Sequence, residues 1–436
     1  DVDVLTELVA KSLVVAEPRN GSVRYRLLET LREYAAERLE RSGEASVVRG
    51  RHVRYFRALA ENGHVTRRGV RYARNMDLVS LEHDNLRAAL SWVLASGELD
   101  EGLAICQALS GFWLSRGHLE EGADWLRRFL ERPERLTPDG LAQSLYTAGR
   151  IAEYQGALDV ARNQFDRSLS VARQHRREEH AARALFGLGD VAVHEGDLDR
   201  AYASFDEGLP LARATGLLPE MAEALVSLAR IDGIRGQQTR ARQRGEEALT
   251  IQRQLGDAWG IAYVSNELGS QARHAGDLER AQRMLEQAHA LWRTSGSRMG
   301  ERAALMNLAV VTLERGDLQR AGALAVDVLH LCIEMSDTSV TTVRCLEIAS
   351  DVLRSMGAPE DAACLAAAAE VHRRALGAPV PADERPEREA TLEAARAALS
   401  REDFEQAWQD GTGLSLQEAV VLAADRLTSQ GKLKSA

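Results

Sequence analysis

A glycine returns about every forty residues through most of this chain, and this period constrains the fold more than any other feature of the sequence. The series comprises Gly117, Gly156, Gly196, Gly236, Gly276, Gly316 and Gly357, with spacings of 39, 40, 40, 40, 40 and 41 residues. A fixed period of this length is typical of a solenoid, in which each repeat packs only on its neighbours. The period therefore favours a protein that binds or couples other molecules.

The residues around each glycine indicate that one repeat is a pair of helices. A small residue follows the glycine by five positions and another precedes it by seven, as Ala201 and Gly189 do around Gly196. Small residues at this spacing let two helix backbones approach closely, while the glycine ends the first helix in a left-handed conformation. In three units an aspartate that can cap the second helix follows the glycine. These aspartates are Asp197, Asp277 and Asp317.

The order of packing residues in one unit, Leu185, Gly189, Ala201 and Phe205, resembles the core of the tetratricopeptide repeat (TPR). That repeat usually has about 34 residues, so each helix here is expected to run about one turn longer. The resemblance covers residues 99–376 and implies an all-α fold, a TPR-like right-handed α-solenoid of about seven helix hairpins. The unit around Gly236 is the weakest, because no Asp-Leu follows it and Gly245 stands where a large residue is expected. A bend is therefore predicted there.

A small module is predicted at residues 1–45, before a helical linker region at residues 46–98. Residues 12–15 read as a strand, Asn20-Gly21 as a hairpin turn and residues 23–27 as the return strand, with short helical patterns on either side. Helix, hairpin and helix together predict a winged-helix remnant, an α+β module. Arginines and glutamates alternate through it, which favours a solvated mixed-charge surface over a DNA-binding face.

The amino-acid sequence of this region resembles the segment that follows the nucleotide-binding domain in bacterial STAND ATPases, the ATP-dependent regulators of the AfsR and MalT kind. The resemblance lies in the stretches LVAKSLVV, RYRLLETLREYAAERL, RHVRYFRALAE and LEHDNLRAALSW. It implies the arm of a transcriptional regulator whose partners are its own ATPase and effector domains. ATP or ADP is then expected only in a nucleotide-binding domain outside this chain. Many relatives carry a Met-His-Asp signature where this chain has Leu27-Leu28-Glu29, and Leu28 cannot donate a hydrogen bond to phosphate.

Composition and motifs narrow the classes of function. A net charge of −10 argues against nucleic acid as a direct partner. No apolar run of about 18 residues predicts a membrane span, and four cysteines without CxxC spacing favour core positions in a reducing cytoplasm. No P-loop or HExxH motif occurs, so the chain is not expected to be an enzyme or to hold a cofactor or metal. Gly187-Leu-Gly189-Asp-Val-Ala192 is interpreted as helix packing, and Glu82-His83-Asp84-Asn85 as the start of a helix.

The TPR resemblance implies that the first helix of each pair lines a concave face. Aromatic rings beside arginines there would suit a small-molecule or peptide effector, although a solvated polar face is the plain alternative. A constitutive scaffold for partner proteins, or the regulatory arm of an enzyme such as a nucleotide cyclase, are the other functions considered. The candidate binding residues are Tyr146, Arg150, Tyr154, Arg183, Phe186, Asp190, His194, Tyr263, Asn266, Arg273 and His274.

Residues 377–436 are predicted to form a helical cap on the last repeat. Helices are expected at about 384–399 and 401–409. Ser415 and Glu418 have the spacing of a capping box, which predicts a further helix after them. A terminal cap is needed because the open end of a solenoid would otherwise expose its core.

Overall fold

The computed structural model describes residues 2–19, 22–64, 70–378, 380 and 385–433. It divides into two compact units. The first contains residues 1–65 and 74–156, and the second contains residues 66–73 and 157–436. The four sequence segments given above remain predictions, since this division concerns compactness alone.

The N-terminal module is a two-stranded hairpin between helices. Helix α1 (Val2–Ala10) leads into β1 (Val14–Arg19), which pairs antiparallel with β2 (Ser22–Leu27), and α2 (Glu29–Ser42) follows. The register places Val14 opposite Leu27. The first strand starts later than predicted because Ser12 has a left-handed φ of 55° that ends α1. The hairpin confirms a small winged module, while the predicted Asn20-Gly21 turn lies outside the described residues.

The rest of the first unit is helical. The helices are α3 (Ala45–His64), α4 (Val70–Leu81, which belongs to this unit from residue 74 on), α5 (His83–Ser96), α6 (Leu99–Arg116), α7 (Leu119–Phe129), a 3-10 turn (Pro133–Arg135) and α8 (Pro138–Tyr154). Phe112, Trp113 and Phe129 are fully buried and form the centre of its core. Gly122 of α7 leaves room for the Trp113 ring, because a Cβ there would lie 2.6 Å from it.

The second unit is a row of helix hairpins followed by three more helices. Helix α9 (Leu158–Gln174) is followed by five pairs of a first and a second helix. The pairs are α10 (Glu178–Glu195) with α11 (Leu198–Thr215), α12 (Leu218–Ile234) with α13 (Gln238–Leu255), α14 (Ala258–His274) with α15 (Leu278–Ser295), α16 (Arg298–Glu314) with α17 (Leu318–Glu334), and α18 (Val340–Ser355) with α19 (Pro359–Ala375). This row confirms the predicted TPR-like α-solenoid.

The periodic glycines have the predicted conformation. All seven are left-handed, with φ between 74° and 85°. The three aspartates also cap as predicted: the Asp197, Asp277 and Asp317 carboxylates accept hydrogen bonds from backbone N–H groups three residues on, at 3.0–3.1 Å. The chain therefore turns at a glycine in all seven units, and in three of them the second helix begins at a capping aspartate.

Glycines inside the helices make room for rings of the neighbouring helix. A Cβ on Gly187 would lie 2.6 Å from the Phe165 ring, and one on Gly189 would lie 2.7 Å from the Phe205 ring. The two glycines of the sequence GLGDVA therefore serve helix packing within α10, as predicted. Burying one such ring contributes roughly 1.5–3 kcal/mol.

Three helices follow the last pair. They are α20 (Arg385–Ala398), α21 (Arg401–Thr412) and α22 (Leu416–Leu433). Helix α22 contacts α17, α18 and α19, and its residues Val420 and Leu427 join their core. The predicted capping box is present, since the Ser415 N–H donates to the Glu418 carboxylate at 2.9 Å and the Glu418 N–H donates to the Ser415 hydroxyl at 3.3 Å.

No helix within the described part of the chain is both long enough and apolar enough to cross a bilayer.

Candidate functional site

The first helices line the inner face of the second unit. Each of α10, α12, α14 and α16 contacts the first helix of the next pair, whereas the second helices α13 and α15 mainly contact the first helices on either side. In a curved stack the helices that approach their equivalents most closely lie on the inside. Side chains on the first helices that point away from the second helices of their pairs therefore face the concave surface.

One cluster on this face brings together charges from three successive repeats. Tyr263 of α14 interacts electrostatically with Glu267 of the same helix, with Arg230 and Glu223 of α12, and with Asp190 of α10. We call these five residues the Tyr263 cluster. Burial is the main cause that raises the pKa of the Tyr263 phenol above its ordinary value, and the nearby Glu267 carboxylate raises it further.

Glu267 is a mostly buried carboxylate within this cluster. Burial raises the pKa of its carboxyl group, while the Arg230 cation and a hydrogen bond with Asn266 oppose that rise. A carboxylate that is poorly solvated and only partly neutralised is costly in an unliganded protein. It can bind a cationic or hydrogen-bond-donating group at less desolvation cost than an exposed carboxylate would incur.

An aromatic surface lies beside the cluster. The Trp259 and Tyr263 rings are stacked, with centroids 5.5 Å apart and planes 9° from parallel. Trp292 of α15 lies 6.3 Å from Trp259 and is itself buried against Gly300, where a Cβ would lie 2.4 Å from its ring. The packed tryptophan holds the stack in place, so the cluster combines a rigid apolar surface with charged groups.

Two of the predicted groove residues are buried, which corrects the sequence analysis. Phe186 is 6% exposed and fills the space above Gly208 of α11, where a Cβ would lie 2.7 Å from its ring. Asn266 is 7% exposed and accepts a hydrogen bond from the Asn307 amide at 3.0 Å. Successive residues of a helix point about 100° apart. At positions 186 and 266 the side chain therefore points towards the neighbouring helices and away from the groove.

The remaining predicted residues of the second unit lie on the exposed side of their helices. Arg183 forms ion pairs with Glu179 at 2.7 Å and Glu220 at 3.2 Å. Arg273 donates to the Glu314 carboxylate at 2.6 Å and lies 2.9 Å from a ring nitrogen of His274. Asp190 and Tyr263 belong to the Tyr263 cluster, and His194 and His274 are exposed. Of the predicted set, Asp190 and Tyr263 thus meet in the Tyr263 cluster, and Arg273 and His274 lie side by side.

The predicted residues of the first unit form a separate group on α8. Arg150 pairs with Glu153 at 3.0 Å, and its guanidinium lies 5.6 Å from the centre of the Tyr154 ring. Tyr154 is 52% exposed and Tyr146 is mostly buried. A cation beside an exposed ring can bind a polar ligand, and this remains a prediction for the first unit.

Three members of the Tyr263 cluster, Glu223, Arg230 and Glu267, are not among the residues predicted from the sequence. A signal for two of them was available, because Glu223 and Arg230 lie forty residues after Arg183 and Asp190. The weak repeat around Gly236 hid this equivalence. Glu267 directly follows Asn266, which was predicted to face the groove. Moving the predicted position by one residue along α14 would have identified Glu267.

One set of side chains in the first unit has the composition of a metal site. Ligand atoms of His83, His118 and Glu121 lie within 4.8 Å of one another. However, Arg87 already donates to both Glu121 oxygens, at 2.8 and 2.7 Å, and the His83 ring lies 3.1 Å from the same carboxylate. Burial lowers the pKa of His83, although the Glu121 charge opposes this. The group serves as an ion-pair network between α5 and α7.

Sequence comparison identifies regulators among the relatives. A protein of Mycobacterium tuberculosis (strain ATCC 25618 / H37Rv), provisionally named an HTH-type transcriptional regulator, is 45% identical over 130 residues, which is 30% of this chain and 14% of the relative. An uncharacterized protein of the same strain is 41% identical over 66 residues, or 15% of this chain and 17% of that protein. The chain thus matches only a small part of the length of these relatives. No protein-family model matches the sequence.

A solved structure shows the same architecture. It is a Signal Transduction ATPase with Numerous Domains (STAND) protein with a tetratricopeptide repeat sensor, from Pyrococcus horikoshii. It is 14% identical, has a TM-score of 0.51, and is matched over 80% of this chain and 55% of that protein. At this identity the likeness shows the fold alone. This chain is therefore a TPR-like α-solenoid with a small N-terminal winged module, similar over part of its length to a mycobacterial regulator.

Proposed function

We propose that this chain is the sensor arm of a STAND-type, ATP-dependent transcriptional regulator of the AfsR and MalT kind. The arm binds an effector on its concave face and controls an ATPase switch outside this chain. The sequence similarity to a regulator and the structural likeness to a STAND protein with a TPR sensor support this proposal. The chain itself neither binds nor hydrolyses ATP, and it resides in the cytoplasm.

The Tyr263 cluster is the observation that supports sensing most directly. A scaffold needs only a solvated polar face, whereas this cluster holds Glu267 and Tyr263 in a desolvated site beside the stacked Trp259 ring. Rings supply contact area and fixed charges supply orientation, as in small-ligand and peptide sites. Because the cluster draws residues from α10, α12 and α14, a ligand there favours one arrangement of three successive repeats. Such a preference is what couples an effector to a distant switch.

A thermal-shift screen of the 436-residue chain with metabolites and short peptides tests the proposal. A ligand present at a hundredfold excess over its Kd stabilises the folded state by about 2.7 kcal/mol. We expect the ligand found to raise the melting temperature of the wild type and of Glu279→Gln, a control at an exposed position on α15. Glu267→Gln keeps the shape of the side chain and removes its charge. We expect it to weaken binding by about tenfold or more, which corresponds to 1.4 kcal/mol.

Equal binding by the wild type, Glu267→Gln and Glu279→Gln would place the effector elsewhere. Stoichiometric ATP binding by the isolated chain would contradict the assignment of nucleotide binding to another domain. If no effector is found and a partner protein binds all three variants equally, the chain is a constitutive scaffold.

A further inference from the structure

Two cysteines of the second unit lie side by side in the core. Cys332 is in the last turn of α17 and Cys345 is in α18, and their sulfur atoms are 3.5 Å apart. They are 2% and 1% exposed. A disulfide has a sulfur–sulfur bond of about 2.0 Å, so small side-chain rotations must close a gap of about 1.5 Å. The spacing of thirteen residues in sequence gave no hint of this contact.

A buried arginine lies against the pair. Arg302 of α16 is 5% exposed, and its Nη1 is 4.0 Å from the Cys332 sulfur. It also forms an ion pair with Asp337, in the turn between α17 and α18. Within the described residues its Nε has no hydrogen-bond partner. A guanidinium in this position favours a negative charge on the sulfur beside it.

The two thiols are therefore unequal. The hydrogen bond with Cys345 is the largest cause that lowers the pKa of Cys332; burial opposes it, the Thr342 hydroxyl and the Arg302 cation add to it, and together they bring the pKa to about 6. The same hydrogen bond, together with burial, raises the pKa of Cys345 well above its ordinary value. Of the two sulfurs, Cys332 is therefore the one that loses its proton first and acts as the nucleophile, while Cys345 keeps its proton. This is the arrangement that an attacking and a resolving cysteine require.

We propose that Cys332 and Cys345 are a modification site, at which hydrogen peroxide oxidises the two thiols to a disulfide that a dithiol can reduce again. The Cys332 thiolate attacks one peroxide oxygen; the O–O bond breaks, hydroxide leaves and Cys332 becomes a sulfenic acid. The Cys345 sulfur then attacks the Cys332 sulfur, and the S–O bond breaks. The departing hydroxide takes the Cys345 proton and leaves as water. Both sulfurs are oxidised, and the peroxide oxygens are reduced to water and hydroxide.

The turn next to Cys332 provides the route for a small oxidant. Ser336 holds a left-handed φ of 49°, a conformation costly for a residue other than glycine. Local opening of the turn would uncover Cys332 without unfolding the repeats. The other two cysteines lack these features. Burial raises the pKa of Cys106 and of Cys364, and neither lies beside a second described cysteine.

The test uses the folded 436-residue chain and hydrogen peroxide. Free thiols are blocked after exposure, and peptides are mapped by mass spectrometry with and without dithiothreitol. We expect one linked peptide that joins Cys332 to Cys345, lost on reduction. The rate of its formation should rise through a midpoint near pH 6, because the thiolate of Cys332 is the reactive form. Cys364→Ser should behave as the wild type.

Variants at two positions, Cys345 and Arg302, separate this chemistry from simple proximity. Cys345→Ser should form no linked peptide and should leave a Cys332 sulfenic acid that dimedone traps. Arg302→Gln should move the midpoint to higher pH, while Arg302→Lys, which keeps the charge, should restore it in part. Oxidation of Cys364 while Cys332 and Cys345 stay free would overturn the proposal. A linked peptide that forms only in urea would do so as well.

Discussion

At the residue scale, a second forty-residue series runs through the ends of the second helices. It comprises Arg176, Gly216, Gly256, Gly296 and Ser336, with φ values of 54°, 73°, 64°, 72° and 49°. All five are left-handed, and only three are glycine. Only the first series was predicted from the sequence, because two members of the second series are residues that seldom adopt this conformation.

We expect glycine at the two exceptions to stabilise the protein. A left-handed conformation costs a residue other than glycine about 1–2 kcal/mol. Roughly 0.5–1 kcal/mol of the stability gained by a change to glycine is lost again, because glycine has more conformational freedom in the unfolded chain. Arg176→Gly and Ser336→Gly should each raise the free energy of unfolding by about 0.5–1 kcal/mol. Urea denaturation measures this. The matched reverse change, Gly256→Ala, should lower it by about 1 kcal/mol, and a loss of stability in the two glycine variants would contradict this account.

At the element scale, the approach of α21 to α19 depends on one glycine. A Cβ on Gly411 would lie 2.0 Å from the backbone carbonyl oxygen of Cys364 and 3.0 Å from the Cβ of Ala367. A backbone atom cannot rotate away as a side chain can. Ala363 and Ala367 of α19 are fully buried, and their small side chains allow this short distance between the helices.

Gly411→Ala should therefore separate α21 from α19. We expect a loss of about 1–3 kcal/mol, as for overpacked cores, and faster proteolysis of residues 401–433. Alanine normally stabilises a helix relative to glycine by about 1 kcal/mol, so the sign of the change is diagnostic. Gly413→Ala is the control, because its φ is −83° and its Cβ would lie no closer than 3.5 Å to another atom. Equal behaviour of the two variants would show that the close contact does not matter.

At the scale of the whole molecule, a buried ion pair lies in the middle of the row of repeats. Arg244 of α13 donates to the Asp232 carboxylate at 2.7 Å and to Asp206 of α11 at 3.1 Å. Asp232 is fully buried. The equivalent positions forty residues away hold Ala192 and Ala272 in place of Asp232. The repeat that the sequence marked as weakest thus replaces apolar packing with charge, and Leu268 occupies the space beside Gly245.

Arg244→Met should destabilise this repeat by about 3–5 kcal/mol, because it leaves a buried carboxylate without its partner. In a solenoid the effect should stay local. We expect hydrogen exchange to accelerate in residues 198–274 and to remain unchanged in α18 and α22. Adding Asp232→Ala should recover most of the stability, since the pair then resembles the neighbouring repeat with Ala272 and Met284. A uniform rise in exchange along the second unit would contradict this local response.

The sequence by itself determined the repeat. The glycine period, the small residues around it and the capping aspartates are local signals, and each acts through the backbone of its own turn or helix. They predicted the helix hairpins, the left-handed glycines and the caps that the structure has. The hairpin of the N-terminal module and the capping box at Ser415 were predicted for the same reason.

Only the tertiary structure decided which side chains meet. Phe186 enters the core because Gly208, on another helix, leaves space for it. Glu267 faces the groove, whereas its neighbour Asn266 does not, because one residue rotates the direction of a side chain by about 100°. Cys332 and Cys345 touch because α17 and α18 pack side by side. A period fixes where helices begin and end, but contacts between helices depend on the shapes of side chains that are distant in the sequence.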